Sequence, residues 1–191
     1  ILTLKDRPSW TPRFFDVSYR EDLDYLILDG SERPQDHKIP LAQNVQYRQY
    51  PTDRGAEDFV TKLIDGLRTC QSEFVLLADN DDIVLPLGVE KSIQLLREDS
   101  NLVGSGGPTL GFFLDSKSGR FSIPLLLSSH AFASARCSQS RTDRYRQRHA
   151  NLWNLVYRRE HLLEAFRRVS VTNLEDFHQL EWAVTDVLLQ Q

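Results

Sequence analysis

The stretch Phe74-Val75-Leu76-Leu77-Ala78-Asp79-Asn80-Asp81-Asp82 sets five apolar residues directly before three carboxylates and a carboxamide. The apolar run, rich in Val and Leu, reads as a strand buried on both faces. The four acceptors at its carboxyl end repel one another and give the fold no evident return. A hard divalent cation such as Mg²⁺ or Mn²⁺ takes oxygen ligands and would neutralise Asp79, Asp81 and Asp82. The plainer alternative is an Asx turn or a helix N-cap, because Asp and Asn both accept backbone N–H bonds; a cap, however, needs only one such residue.

On either side of this stretch, apolar runs alternate with segments of helical period, the pattern of a parallel α/β sheet. Ile1 to Leu4 is a short strand closed by Lys5-Asp6-Arg7-Pro8. Tyr25 to Leu28 is a second, closed by Asp29-Gly30-Ser31, and Val45 to Tyr50 is a third, nearer an edge. Residues 56–69 place Phe59, Val60, Leu63, Ile64 and Leu67 on one helical face. Pro86 suits a first helical turn, and the helix after it carries Val89, Ile93 and Leu96 inward. From Leu102 to Leu127 short apolar pieces alternate with Gly- and Ser-containing breaks, read as short strands and loops. Leu155 to Tyr157 reads as a last strand, followed by a helix with Leu162, Leu163, Phe166 and Val169 inward. A terminal helix from about Asn173 has Phe177, Leu180, Val184, Val187 and Leu188 as its core face. No repeat or linker interrupts this, so the expectation is one α/β domain over residues 1–191, a mostly parallel sheet flanked by helices.

At 191 residues the chain can bury a sizeable core. Its formal charge of −4 gives no reason to expect a nucleic-acid or membrane-surface binder overall. Cys70 and Cys137 are too few for a disulfide framework and too isolated for zinc, which favours a reducing compartment. No apolar run reaches transmembrane length. Ile1 opens on a strand-like segment that already carries Lys5 and Asp6, unlike a signal peptide. The chain neither begins with Met nor contains one, as a trimmed or incomplete chain would.

In open parallel sheets ligands bind beyond the carboxyl ends of the strands. Three strands here end in acidic or Gly-containing turns: Lys5-Asp6-Arg7, Asp29-Gly30-Ser31 and Asp79-Asn80-Asp81-Asp82. Taken alone, Asp29-Gly30-Ser31 is also an ordinary turn and Arg7 also an ordinary solvated cation. Standard phosphate cradles are missing: Gly104-Ser105-Gly106-Gly107-Pro108-Thr109 departs from G-x-G-x-x-G at Thr109, and no G-x-x-x-x-G-K-[ST] occurs.

The first strand with Arg7-Pro8, then Tyr25-Leu26-Ile27-Leu28-Asp29-Gly30-Ser31, then Glu73 to Asp82, resembles the nucleotide-binding half of a GT-A glycosyltransferase, family 2-like. The likeness covers residues 1–98, a nucleotide-binding half, and extends loosely over 99–191, an acceptor-side half. It implies a Rossmann-like GT-A domain in which Asp29 contacts the nucleobase, Arg7 joins the nucleotide site, and Asp79-Asn80-Asp81 is the D-x-D motif. That motif contacts the ribose through Asp79 and holds the Mn²⁺ or Mg²⁺ that bridges the donor diphosphate; Asp82 extends it. The family pattern places the base in a Glu-Asp pair near a late helix, matched by Glu175-Asp176. At 100° per residue Asp176 lies roughly 70° from the centre of the terminal helix's apolar face and Glu175 points nearly away, so Asp176 is the better base. Both also suit a first helical turn simply as acids facing the helix dipole.

The expected activity is metal-dependent, inverting transfer of a sugar from a nucleotide-diphosphate donor to a glycan or lipid-linked hydroxyl. The resemblance extends to polysaccharide biosynthesis in the cytoplasm, with peripheral contact at the inner face of a membrane. Two alternatives stand beside it. A sugar-nucleotidyltransferase shares a related sheet, but Lys5-Asp6-Arg7-Pro8 lacks the glycines of its first loop. A catalytically silent nucleotide- or cation-binding module would lack the base. Arginines of residues 134–149 could close over a diphosphate or form the outer face of a helix. His130 and His149 have no metal-ligand spacing; Trp153 and Trp182 are more often core than sugar platforms, and Trp153 is the one to test as a platform.

Overall fold

The computed structural model describes residues 1–36, 39–107, 111–114, 121–125, 153–172, 174 and 176–190; for 111–114 and 121–125 it describes the backbone alone. In chain order the elements are β1 (Leu2–Leu4), α1 (Thr11–Ser18), β2 (Tyr25–Asp29), β3 (Val45–Gln49), α2 (Ala56–Thr69), β4 (Phe74–Leu76) and β5 (Ala78–Asp79). There follow α3 (Pro86–Glu98), β6 (Gly104–Ser105), β7 (Gly111–Leu114), β8 (Phe121–Leu125), β9 (Val156–Arg158), α4 (Arg159–Val169) and α5 (Phe177–Leu188).

The chain is α/β, built on a four-stranded parallel sheet in the order β3-β2-β1-β5. As the half-polar pattern of Val45 to Tyr50 suggests, β3 is an edge strand, opposite β5, and only half-buried. Leu4 registers with Asp29, and Thr3 with both Leu28 and Asp79, so three acidic strand ends finish side by side. Alternation along β2 sends Leu26 and Leu28 to one face and Ile27 to the other. Leu26 and Leu28 join the core made by Phe59, Leu63 and Leu67 of α2 with Leu162 and Phe166 of α4 and Leu180 and Val184 of α5. Ile27 joins Leu2, Leu4 and Ala78 under Phe14 and Phe15 of α1. Helices therefore cover both faces.

Two features depart from the sequence expectation. Residues 74–79 do not form one strand: β4 pairs antiparallel with β9, in a three-stranded sheet ordered β4-β9-β6, whereas β5 pairs parallel with β1. The exchange happens at Leu77, whose carbonyl accepts the Asn154 N–H at 2.8 Å, just before the Ala78 N–H donates to Ile1 O at 3.0 Å. An apolar run reports burial, not which neighbour it pairs with. The second is α1, whose eight residues supply the crossover between β1 and β2 and pack Phe14 and Phe15 inward. β7 and β8 pair antiparallel, so among the described residues parallel pairing is confined to the four-stranded sheet. Among the described residues no helix is long and apolar enough to cross a membrane.

Candidate functional site

The turn after β1 is the most constrained part of the sheet's carboxyl edge. Asp6 and Arg7 adopt consecutive left-handed conformations, with φ of 60° and 53°. Non-glycine residues hold such angles only with outside support. Here the Asp6 N–H donates to Ser31 Oγ at 2.8 Å, while Gln35 Nε2 donates to Asp6 O at 2.6 Å and to Ser31 Oγ at 2.8 Å. From the opposite side Asn80 Nδ2 donates to Arg7 O and to Thr11 Oγ1, each at 3.1 Å. Asn80 is 3% exposed. It is thus no fourth acceptor in an acidic cluster but an inward-facing donor that pins the β1 turn.

With Asn80 turned inward, its three neighbours take separate partners. Asp79 accepts a hydrogen bond from Thr3 Oγ1. Burial pushes the Asp79 carboxyl up to about 6; the bond from Thr3 opposes the rise, and the charges of Asp82 and Asp81 add to it. Asp81 forms an ion pair with Arg7, with both side chains reaching solvent. Asp82 accepts from Asn154 Nδ2 at 3.0 Å, and burial raises its pKa. Asn154 is itself left-handed, at φ 65°, and its Oδ1 is buried without a hydrogen-bond partner.

The other expected site residues fall differently. Asp29 is wholly covered. Its Oδ1 accepts from the Ser31 N–H at 2.8 Å, and its Oδ2 from the Gln35 N–H at 2.8 Å and the Tyr47 hydroxyl at 2.7 Å. In this arrangement Asp29 organises the β2 turn and exposes no oxygen to a ligand. Burial, and then the bond to Asp29, raise the Tyr47 pKa. Asp176 is exposed and is the N-cap of α5, accepting from the Gln179 N–H at 2.8 Å. No hydrogen bond or ion pair among the described residues joins it to residues 79–82. Trp153 Nε1 donates to Glu181 Oε1 at 2.7 Å and the ring stands edge-on to Phe59, an arrangement that ties α5 to α2. Glu175, His130, His149 and residues 134–149 lie outside the described residues.

Sequence reasoning thus brought Arg7, Asp79, Asp81 and Asp82 to one place but missed Thr3, Asn154 and the role of Asn80. Asn154 carried a weak signal, since Asn is enriched in left-handed positions at strand entries. The carboxylates supply the oxygen donors that Mg²⁺ or Mn²⁺ takes. As they stand, however, no three of His, Cys, Asp or Glu are gathered as a ligand set among the described residues. What the arrangement offers is an exposed ion pair backed by two half-buried carboxylates of raised pKa. A cavity of about 560 Å³ lies toward the other end of the sheet, against Ile1, Tyr25, Phe74 and Val89. Ligands of open parallel sheets bind at the carboxyl ends instead, which favours the aspartate corner. No family model matches the chain, and comparison with curated proteins finds no match either.

Proposed function

We propose that the chain is a GT-A-type glycosyltransferase that moves a sugar from a nucleotide-diphosphate donor to a hydroxyl acceptor, with inversion. The observation that carries this reading is the Arg7–Asp81 ion pair, flanked by Asp79 and Asp82 at the carboxyl end of a parallel sheet. A diphosphate accompanied by Mn²⁺ or Mg²⁺ can replace both halves of that pair at once, the guanidinium turning to phosphate oxygens and the carboxylate to the cation. A lone anion or a lone cation would satisfy one half and strand the other. Bound there, the cation would neutralise charge developing on the diphosphate leaving group.

The protein's own contribution is positioning. Asn80, Gln35 and Ser31 hold the turn that presents Arg7, and Thr3 holds Asp79 where a ribose hydroxyl is expected. Asp29 acts through Ser31 and Gln35 rather than by touching the nucleobase. The base that takes the acceptor proton is assigned to the Glu175–Asp176 pair. The acceptor is proposed as a glycan or lipid-linked hydroxyl, met in the cytoplasm or at the inner membrane face. The capping bond of Asp176 specifically favours a second reading, a nucleotide-binding module without a base. Donor turnover separates the two. Incubation with UDP-, GDP- or CDP-sugars and Mn²⁺, with water as the hydroxyl that takes the sugar, is expected to release free sugar and the nucleoside diphosphate, with Asp81→Ala abolishing release and Asp176→Asn preserving donor binding but not turnover. Release unaffected by Asp81→Ala would overturn the proposal; binding without turnover would establish the silent module.

A further inference from the structure

Beneath the aspartate corner lies a second charged group: Lys62 of α2 and Asp53 of the β3–α2 loop, an ion pair with side chains 1% and 3% exposed. Lys62 Nζ also approaches Leu4 O at 3.5 Å, and the same carbonyl accepts the Gly30 N–H at 3.0 Å. The Asp53 N–H in turn donates to Gly30 O at 3.0 Å. A methyl group at residue 30 would run into the Asp53 carboxylate, so only glycine lets the carboxylate lie against this turn. Leu4, Gly30, Asp53 and Lys62 therefore close a ring joining the end of β1, the turn after β2 and the entry to α2. Each strand end of the ring adjoins a residue of the site: Thr3, which holds Asp79, precedes Leu4, and Ser31, which holds Asp6, follows Gly30.

The ring is a poor device for stability alone. Burial lowers the Lys62 pKa and raises that of Asp53, each change opposed by the other's charge. Well-packed apolar residues often replace a buried ion pair with equal or greater stability. The setting suits such a replacement, since the Lys62 ammonium stands 5.0 Å from the centre of the Phe59 ring on a helix whose inward face is otherwise apolar. Asp53 Oδ1 has no hydrogen-bond partner, so the pair is also incompletely satisfied. What the ion pair adds is direction: a carboxylate fixed against Gly30 and an ammonium fixed against Leu4 set the two turns relative to each other.

We infer that Asp53 and Lys62 are positioning residues for the nucleotide, setting the turns that carry Arg7 and Ser31 in register with Asp79 without touching the ligand. The inference rests on the nucleotide-binding reading above. Its test is the double substitution Lys62→Met with Asp53→Leu in the intact chain, followed by urea denaturation and by calorimetric titration with UDP, GDP and CDP in Mn²⁺. The double variant is expected to unfold at no lower urea concentration than wild type yet to bind the nucleotide preferred by wild type about tenfold or more weakly. Unchanged affinity in the folded variant overturns the positioning role while leaving the nucleotide reading in place. A variant that does not fold overturns it too, because the pair then serves stability. A wild-type chain that binds none of the three nucleotides removes the nucleotide reading, and this inference with it.

Discussion

At Arg7 the backbone and the side chain have opposed interests. The backbone is held left-handed at φ 53°, which costs an L-residue about 1–2 kcal/mol. The side chain is the guanidinium that meets Asp81. Arg7→Gly removes both, and its expected signature is a stability unchanged or raised by up to about 1 kcal/mol in urea, with weaker diphosphate binding. A clear loss of stability would mean that the side chain, not Asn80 and Gln35, holds the turn. Asp79 shows a related conflict through pH. Its folded-state pKa of about 6 lies above the ordinary value of 3.8, so the fold favours the protonated form. That contribution is complete below the unfolded pKa and is lost as pH climbs through the folded one. Asp79→Asn, which retains an acceptor for Thr3, should therefore stabilise the cation-free chain by on the order of 2–3 kcal/mol at pH 7.5 and by almost nothing at pH 3.5. Urea midpoints at the two pH values measure this; equal differences at both would show that ionisation of Asp79 carries no cost.

Among the elements, α2 joins the halves of the chain. Phe59 meets Trp153 at a ring-centroid distance of 5.7 Å and Phe177 at 5.3 Å, both edge-on, and the Lys62 ammonium at 5.0 Å. Phe59→Ala is expected to lower unfolding free energy by about 3–5 kcal/mol, read from chemical denaturation; a cost under about 1 kcal/mol would place the junction elsewhere. The inward face of α2 was legible because five apolar residues recur at helical spacing. Lys62 was not, since a lysine beside an apolar stripe ordinarily reaches water and its partner Asp53 sits in a loop. Nor was α1 legible: eight residues with adjacent Phe14 and Phe15 hardly establish a period. Phe177, expected in the core face of α5, is 45% exposed because it stands in the first turn and covers only one side of Phe59. Trp182 is half-exposed on the same helix rather than part of the core.

In the molecule as a whole, the location of the candidate site was legible and its internal wiring was not. Parallel strands buried on both faces must deliver their polar residues at their ends, so the sequence alone assigns Asp6, Asp29 and Asp79 to Asp82 to one edge. The direction of each side chain depends on longer-range events. Two left-handed residues set the β1 turn, Asn80 turns inward to secure it, and Asn154 arrives from 72 residues away to engage Asp82. Beyond the general enrichment of Asn and Asp in left-handed positions, none of these leaves a local pattern. Asp176 illustrates the same boundary: residue type and order suited a base, while the capping bond that now occupies it depends on where the helix begins. The central claim is that the carboxyl edge receives a nucleotide diphosphate together with a divalent cation. Calorimetry with UDP, GDP and CDP, with and without Mn²⁺, tests it most directly on wild type and Asp81→Ala. The account predicts binding of one nucleotide that requires Mn²⁺ and disappears in Asp81→Ala; tight binding indifferent to both the metal and the substitution would contradict it.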